Sequence, residues 1–353
     1  MMPAPVIVAS GLVTSVGYTA PTACAAMRCK IARFEDGDYL GDDWHPIIAS
    51  PIARLGRTRS IRERLLPMLD IVLGSVSGHR LLTHVPRAPL FMPYVEQPRP
   101  GADDQLARDL LAHARARLGD RGDARLASID YGGAPAGFRA VERAAELITS
   151  GAAELCVVVA VDSWLDARSL LWLGERAPLH TDHYKEGVIP GEAGAVLLIA
   201  SSELVASAEV EATILGFGSS VEPAEHGPNV PMRGDGLTEA IRQALTNTGL
   251  ELQDVRLRLA DADGGHNAAK EQMLALARLL RVRVEDFPQW LPAECIGHVG
   301  AAAGLVQIAW AIQAAARGYL PGSPVLCTTR NFAGERAAVI VDVPTPSRGP
   351  RWS

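Results

Sequence analysis

Apolar runs and helical stretches alternate along the chain, and this alternation predicts an α/β fold. Residues 155–161 form an unbroken apolar run, which is typical of a strand covered on both faces. The preceding stretch places four apolar side chains on one helical face: Phe138, Val141, Ala145 and Ile148. Ser128–Tyr131 comes before this helix as a short predicted strand. Strand, helix and strand in this order predict a right-handed crossover between parallel strands.

The pattern restarts in the second part of the chain, which predicts two similar halves. Residues 194–200 form another buried strand, and a polar patch at 201–209 separates it from the next repeat of the pattern. The second repeat consists of predicted strands at 210–216, 255–261 and 337–343 and predicted helices at 236–248, 270–280 and 301–316. We therefore predict an N-terminal half at 1–205, a C-terminal half at 206–345 and a flexible tail at 346–353. Residues 35–60 are predicted to be irregular.

Composition narrows the possible functions. The chain has 353 residues, 48% of them hydrophobic, and its net charge of −6 provides no basic excess for nucleic acid or an anionic membrane surface. No apolar run reaches the roughly 20 residues of a membrane-spanning helix. The five cysteines are scattered and form no CxxC pair, so we expect no disulfide framework, no metal and no cofactor, in a reduced cytoplasmic setting. The N-terminal segment is typical of a strand and loop, not of a signal peptide.

Six segments, taken in order, resemble the β-ketoacyl synthase family. They are IVASGLVTSVG, ITSGAAELCVVVAVDS, VIPGEAGAVLLIAS, LTEAIRQALTNTGLELQDVRLRLADADG, IGHVGAAAGLVQIAWAIQAAARGYLPG and NFAGERAAVIV. GHVGAAAG followed by its helix is fairly specific, and the order of the whole set is a strong signal. The chain is therefore identified as a divergent member of this family. The resemblance implies a thiolase-like five-layer αβαβα fold built from two similar halves, usually as a dimer.

In that family, a cysteine at the N-terminus of a buried helix takes an acyl group from a thioester. A malonyl unit then loses carbon dioxide and attacks the acyl-enzyme. The helix dipole and the unpaired N–H groups lower the pKa of the thiol. When APAGFRA is aligned with the family's cysteine-containing turn, the nucleophile position is Ala134. A methyl group cannot attack a thioester, so the resemblance predicts a degenerate active site that does not condense.

The family also uses two histidines and a lysine, which polarise the thioester carbonyl and stabilise the enolate. The second histidine is retained as His298, and the lysine position five residues earlier is Ala293. The first-histidine position is Asp261 or Asp263, depending on the register. His266 lies three to five positions later, where it either substitutes through a remodelled loop or is a solvated loop residue. His298 itself either binds a thioester carbonyl or is retained for helix packing.

Other residues near these motifs have competing interpretations. Phe332 and Gly334 match the family's gating turn at the acyl pocket. Cys295 lies in a predicted loop three residues before His298 and is a weak alternative nucleophile. Glu192 is interpreted as a buried structural acid. The segment LHTDHYK is interpreted as an exposed polar loop and not as a metal site.

Three functional hypotheses follow from the resemblance. The first is a ketosynthase-like protein of fatty-acid or polyketide-type metabolism that binds an acyl thioester or acyl carrier protein without turnover. Such a protein would form a homodimer, or a heterodimer with an active ketosynthase, as chain-length-factor subunits do. The second is an atypical acyltransferase or malonyl decarboxylase that uses His298. The third is a structural scaffold.

Overall fold

The computed structural model describes residues 3–56, 60–119, 126–223 and 230–345, so the predicted tail at 346–353 lies outside the described residues. The first half of the chain contains β1 (Pro5–Thr14), α1 (Ala20–Arg28), β2 (Glu35–Leu40), β3 (Pro46–Ala49), α2 (Ile61–Val76), α3 (Arg80–His84), β4 (Leu90–Tyr94), α4 (Asp104–Leu118), β5 (Ser128–Tyr131), α5 (Ala134–Thr149), β6 (Leu155–Ser163), α6 (Ala167–Gly174) and β7 (Glu192–Ser201). The second half contains β8 (Ala212–Val221), α7 (Asp235–Thr246), β9 (Leu257–Ala260), α8 (His266–Leu279), β10 (Gln289–Trp290), α9 (Ala293–Ile296), α10 (Ala303–Ala316), β11 (Val325–Arg330) and β12 (Glu335–Asp342).

The main sheet consists of two five-stranded parts with the same topology. Its strand order is β10-β9-β11-β12-β8-β1-β7-β6-β4-β5. In the first part, β5, β4 and β6 are parallel, whereas β7 is antiparallel to both β6 and β1. In the second part, β10, β9 and β11 are parallel, whereas β12 is antiparallel to both β11 and β8. The two parts meet where Val6 and Ile7 of β1 pair with β8.

Helices cover both parts of the sheet and fill the space between them. One core cluster joins α5 and α10 to inward-facing side chains from the strands of both parts. A second cluster packs α2 and α4 on the outer face of the first part, and a third packs α7 and α8 on the outer face of the second. Along β6, Cys156 and Val158 face the inner cluster and Val157 and Val159 the outer one. This alternation confirms that the unbroken apolar run is a strand buried on both faces.

The sequence predicted some local structure wrongly. Residues 35–60, expected to be irregular, contain the β2–β3 hairpin. The helix expected at 270–280 begins earlier, at His266, because polar residues can fill the first helical turn without contributing to the apolar pattern. β11 was not anticipated at all, since its sequence VLCTTR ends in polar residues, yet the strand lies at the centre of the second part of the sheet.

The two central helices approach closely through glycine. A Cβ added to Gly304 on α10 would lie 2.8 Å from Cε1 of Phe138 on α5. We expect Gly304→Ala to lower the free energy of unfolding by about 1–3 kcal/mol, because the Phe138 ring must shift within a packed core. Gly74 on the exposed face of α2 has open space around its position, so Gly74→Ala should raise stability by about 0.5–1 kcal/mol. Urea denaturation of both variants measures the difference, and equal effects would contradict this packing.

Candidate functional site

The residue aligned with the family's nucleophile lies at the first position of α5. Gly132 and Gly133 form the turn that enters this helix, and both have positive φ angles, 146° and 65°. The Gly133 N–H donates to the Tyr94 carbonyl at the end of β4, with 2.9 Å between N and O. Ala134 then begins the helix and is 2% exposed. The protein therefore has a helix N-terminus that could stabilise an anionic nucleophile, but the side chain at this position is a methyl group.

The predicted gating turn packs against this helix N-terminus. The Asn331 side-chain amide donates to the Gly132 carbonyl over 2.9 Å. Glu96, which follows β4, accepts a hydrogen bond from the Phe332 backbone N–H over 3.1 Å. Gly334 has a φ of 94°, so it closes the turn in a conformation that favours glycine. Phe332 is thus fixed beside the start of α5 through its backbone.

His298 is buried in the middle of this cluster. Its ring centroid is 5.9 Å from that of Phe332 and 5.2 Å from that of Trp164. His298 Nδ1 lies 3.8 Å from Oδ2 of Asp263, which is too long for a hydrogen bond. Burial lowers the pKa of His298, and the nearby carboxylates of Asp263 and Asp162 only partly offset that effect. The imidazole is therefore held largely neutral at pH 7 and can accept or donate one hydrogen bond.

Glycines allow the VIPGEAGA and IGHVG segments to lie side by side at His298. His298 N donates to the Ile189 carbonyl over 2.7 Å, and Gly191 N donates to the His298 carbonyl over 3.0 Å. A Cβ on Gly297 would lie 2.6 Å from the Ile189 carbonyl oxygen, and a Cβ on Gly191 would lie 2.2 Å from that of Ile296. The VIPGEAGA and IGHVG segments therefore pack backbone to backbone. Any larger residue at these glycines would push His298 away from its position.

A buried ion pair supports the other side of the His298 loop. Asp162, at the end of β6, accepts from Arg99 over 2.8 Å and from the Ala301 N–H over 2.8 Å. Both side chains of the Arg99–Asp162 pair are completely buried. The Arg99 guanidinium also lies 3.7 Å from the centroid of Trp164 and donates to Ser169. The pair ties the segment after His298 to the first half of the chain.

Three of the aligned catalytic positions line one small cavity. Asp261, Ala293 and His298 surround a space of about 10 Å³, which is room for about one water molecule. Asp261 Oδ2 accepts from the Arg330 N–H over 2.8 Å, while Oδ1 is buried without a hydrogen-bond partner among the described residues. Burial raises the pKa of Asp261 to about 7. Asp261 therefore shares a cavity with His298, and Asp263 approaches Nδ1 of the same ring.

The remaining candidates lie elsewhere. His266 is exposed at the start of α8. Cys295 lies in the short helix α9 and not in the predicted loop, and its Sγ approaches the Met27 carbonyl at 3.9 Å. Burial raises the pKa of the Cys295 thiol, which disfavours a thiolate nucleophile. Glu192 pairs with Arg64 in a buried contact over 3.0 Å, in keeping with its interpretation as a structural acid.

Sequence reasoning missed Glu96 and the Arg99–Asp162 pair. Glu96 is 5% exposed, and burial raises its pKa to about 7. Both Glu96 and Arg99 lie in the proline-rich stretch after β4, where periodicity carries no signal. The only available indication was a charged residue directly after a buried strand. Acidic side chains at that edge of a parallel sheet often face the site.

The described residues contain no candidate membrane span and no candidate metal cluster. No helix in the described ranges is both long and apolar enough to cross a membrane. Within the same ranges, no group of three or more histidine, cysteine, aspartate or glutamate side chains is placed to hold a metal ion.

The chain is similar in sequence to β-ketoacyl synthases over part of its length. Residues 211–326 match the family "Beta-ketoacyl synthase, C-terminal domain". "Putative polyketide beta-ketoacyl synthase 2" of Streptomyces coelicolor is 31% identical over 140 residues, covering 39% of this chain and 32% of that protein. The protein of the same description from Streptomyces cyaneus is 28% identical over 206 residues, covering 55% of this chain and 48% of that protein. The matches thus span about a third to a half of the length of these curated relatives.

Solved structures show the same fold over nearly the whole chain. A ketosynthase (ApeO) in complex with its chain length factor (ApeC) from Xenorhabdus doucetiae matches with a TM-score of 0.71 and 14% identity, covering 97% of this chain and 98% of that one. The ishigamide ketosynthase/chain length factor matches with a TM-score of 0.74 and 16% identity, covering 98% and 100%. The predicted thiolase-like fold is therefore confirmed.

Proposed function

Since this chain is a thiolase-fold relative of the β-ketoacyl synthases, we propose that it is a non-condensing member that acts as a partner subunit of an active ketosynthase. The observation that supports the proposal is that α5 begins with Ala134, the residue that the sequence alignment matches to the family's nucleophile. Without a thiol at this place, no acyl group can be taken from a thioester by the family's route. The preserved fold then serves assembly and not condensation.

The cysteines of the chain give no obvious replacement. Four of them are buried, and burial raises the pKa of Cys24 and Cys156 to about 12. Cys29 is exposed, but it lies at the C-terminal end of α1 and not at the start of α5. A thiol with a raised pKa is almost entirely protonated at pH 7 and is a poor nucleophile. The cavity beside His298 also has room for about one water, which argues against an acyl chain bound there.

An open sheet edge supports the partner role. β5 is the edge strand of the first part of the sheet and pairs with β4 on one side. Its four residues are all partly exposed, and Leu126 just before it is 40% exposed. An edge strand leaves backbone groups free to pair with a strand of another subunit. Two of the structural relatives are described as a ketosynthase together with a chain length factor, which fits a subunit of this kind.

The proposal is tested by measuring assembly. We expect native mass spectrometry to show a dimer, either of this chain alone or with a co-expressed cysteine-bearing ketosynthase. Leu126→Lys places a charge next to the β5 edge and should weaken the dimer at least about 10-fold. Val282→Lys, at a residue 53% exposed in the second half, is the matched control and should have no effect. A monomer under all conditions, or equal effects of both variants, would refute the partner role.

A malonyl decarboxylase is the second candidate, because the titratable groups His298 and Asp261 line one cavity; this activity requires the cavity to open beyond its room for about one water molecule. The neutral imidazole lies beside a carboxyl group, Asp261, that titrates near pH 7, so the cavity has one group to donate and one to accept a proton. Release of carbon dioxide from a malonyl thioester, lost in His298→Ala, would support this activity. The partner-subunit proposal predicts no release above the uncatalysed rate from this chain alone.

A further inference from the structure

One face of the first half exposes an unusual number of large apolar side chains. The exposed fractions of four side chains on the β2–β3 hairpin, on α6 and on the loop after it are 56% for Leu40, 83% for Trp44, 69% for Leu171 and 44% for Tyr184. Trp44 lies at the tip of the hairpin with a φ of 62°, a left-handed conformation that a bulky residue rarely adopts. Exposed tryptophan is typical of the residues that dominate binding at protein interfaces.

The hairpin is fixed against the body of the protein. Ile48 N donates to the His180 carbonyl over 2.8 Å, and Ile47 forms a bridge with Thr181. The Thr181 hydroxyl donates to the Asp43 carboxylate over 2.5 Å. The rings of His45 and His183 pack against each other at a tilt of 32°, with their centroids 3.9 Å apart. The hairpin tip is therefore a preformed surface, and a ligand need not order it.

Two grooves lie along this hairpin. One, of about 620 Å³, runs between the hairpin residues 39–43 and α6, and its lining includes Leu40 and Leu171. The other, of about 290 Å³, lies on the residues 35–39 and reaches Leu165 and Leu170. Tyr39, Ile47 and Leu170 line both grooves. Because they share these residues, the two grooves form one continuous surface with apolar side chains from α6 and acidic side chains from the hairpin, which is the kind of surface that receives an amphipathic segment.

The charge of the hairpin identifies the kind of segment that fits. Residues 35–43 contain five acidic side chains and no lysine or arginine: Glu35, Asp36, Asp38, Asp42 and Asp43. All five are exposed along the rim of the grooves. These negative charges would repel an anionic membrane surface or a nucleic acid at this face. Complementary charge favours a partner that carries lysine or arginine next to apolar side chains.

We propose that the β2–β3 hairpin and α6 form a docking surface for an amphipathic, positively charged segment of a partner protein. The apolar side of that segment fills the two grooves and covers Trp44 and Leu171, while its cationic residues face the acidic rim. This surface shares no residue with the β5 edge. The docking surface and the proposed pairing along β5 therefore stand or fall independently.

Fluorescence anisotropy with two designed peptides tests the proposal. The probes are a 14-residue amphipathic helix of leucine and lysine and its counterpart of leucine and glutamate, each labelled at one end. We expect the lysine peptide to bind the full chain with an affinity that falls as salt is raised, and the glutamate peptide to bind at least 10-fold more weakly. Equal binding of the two peptides, or no binding of either, would overturn the proposal.

Substitutions on the proposed docking surface test where the lysine peptide binds. Trp44→Ser with Leu171→Ser, and separately Asp36→Lys with Asp42→Lys, should each weaken the lysine peptide at least 10-fold. Met273→Ser, which removes a 72% exposed side chain from α8 in the other half, should leave the affinity within twofold of the wild-type value. All these side chains are exposed, and circular dichroism checks that each variant is folded. Unchanged binding by both double variants would show that the peptide binds elsewhere and would contradict the proposal.

Discussion

Arg99→Met is expected to lower the free energy of unfolding by about 3–5 kcal/mol, because it leaves the Asp162 carboxylate buried without its cation. Arg99 and Asp162 are both completely buried and lie 2.8 Å apart. Asp162 also accepts a hydrogen bond from the Ala301 N–H, so loss of the Arg99 cation should disturb the loop that carries His298. Urea denaturation gives the stability change, and the NMR signals of the His298 ring report the displacement.

Two variants separate this effect from a general sensitivity to charge removal. Arg80→Met breaks an exposed pair with Glu209 and should change the free energy of unfolding far less, because solvent screens that pair. The double variant Arg99→Met/Asp162→Leu removes both buried charges and should recover part of the lost stability. A cost for Arg99→Met no larger than that for Arg80→Met would show that the buried pair does not organise the site.

Asp261→Asn is expected to make the protein more stable at pH 8 while changing little at pH 4. Burial raises the pKa of Asp261 from its ordinary 3.8 to about 7, so between these values the folded protein binds a proton that the unfolded chain does not. The extra stability that this bound proton gives to the folded protein is therefore fully present below about pH 4. It is lost as the pH rises through 7. Asparagine mimics the protonated acid at all pH values, so the variant avoids that loss, which is on the order of 4 kcal/mol.

The measurement is the difference in unfolding free energy between the variant and the wild type at pH 4, 6 and 8. Using the difference cancels the other titrating groups, such as His298, whose lowered pKa acts in the opposite direction. Asp42→Asn alters an exposed carboxylate and should stay within about 0.5 kcal/mol of the wild type throughout. A difference for Asp261→Asn that does not grow with pH would mean that Asp261 is not a buried acid of raised pKa.

Much of the architecture could be predicted because the sequence pattern of each helix and strand is local and recurs in both halves of the chain. The apolar run in β6 and the helical face of α5 are set by burial, and burial follows the period of each element. Glycine is required in the VIPGEAGA and IGHVG motifs because a Cβ on Gly191 or Gly297 would lie within 3 Å of a backbone oxygen, and a Cβ on Gly300 would lie 2.0 Å from Oδ2 of Asp162. A substitution there would clash, so the motifs themselves carried information about the site.

Features that depend on long-range contacts could not be predicted. The β2–β3 hairpin is polar and rich in glycine, and it is held by contacts with residues 180 to 183, far along the chain. Glu96 enters the site because the end of β4 lies beside the turn at Phe332, more than 200 residues later. The spacing along the sequence left the first-histidine position open between Asp261 and Asp263, and only the fold places Asp261 at one cavity with His298. In each case the contacting residues are far apart in the sequence, whereas hydrophobic periodicity reports only on residues that are close along the chain.

Intact-protein mass spectrometry after incubation with an acyl thioester tests the central inference, namely that α5 begins with a methyl group where condensing relatives carry a thiol. We expect the mass of the chain to stay unchanged at pH 7 to 8, with the thioester hydrolysing only at its background rate. A stable increase equal to one acyl group, mapped by peptide analysis to any side chain facing His298, would contradict the account.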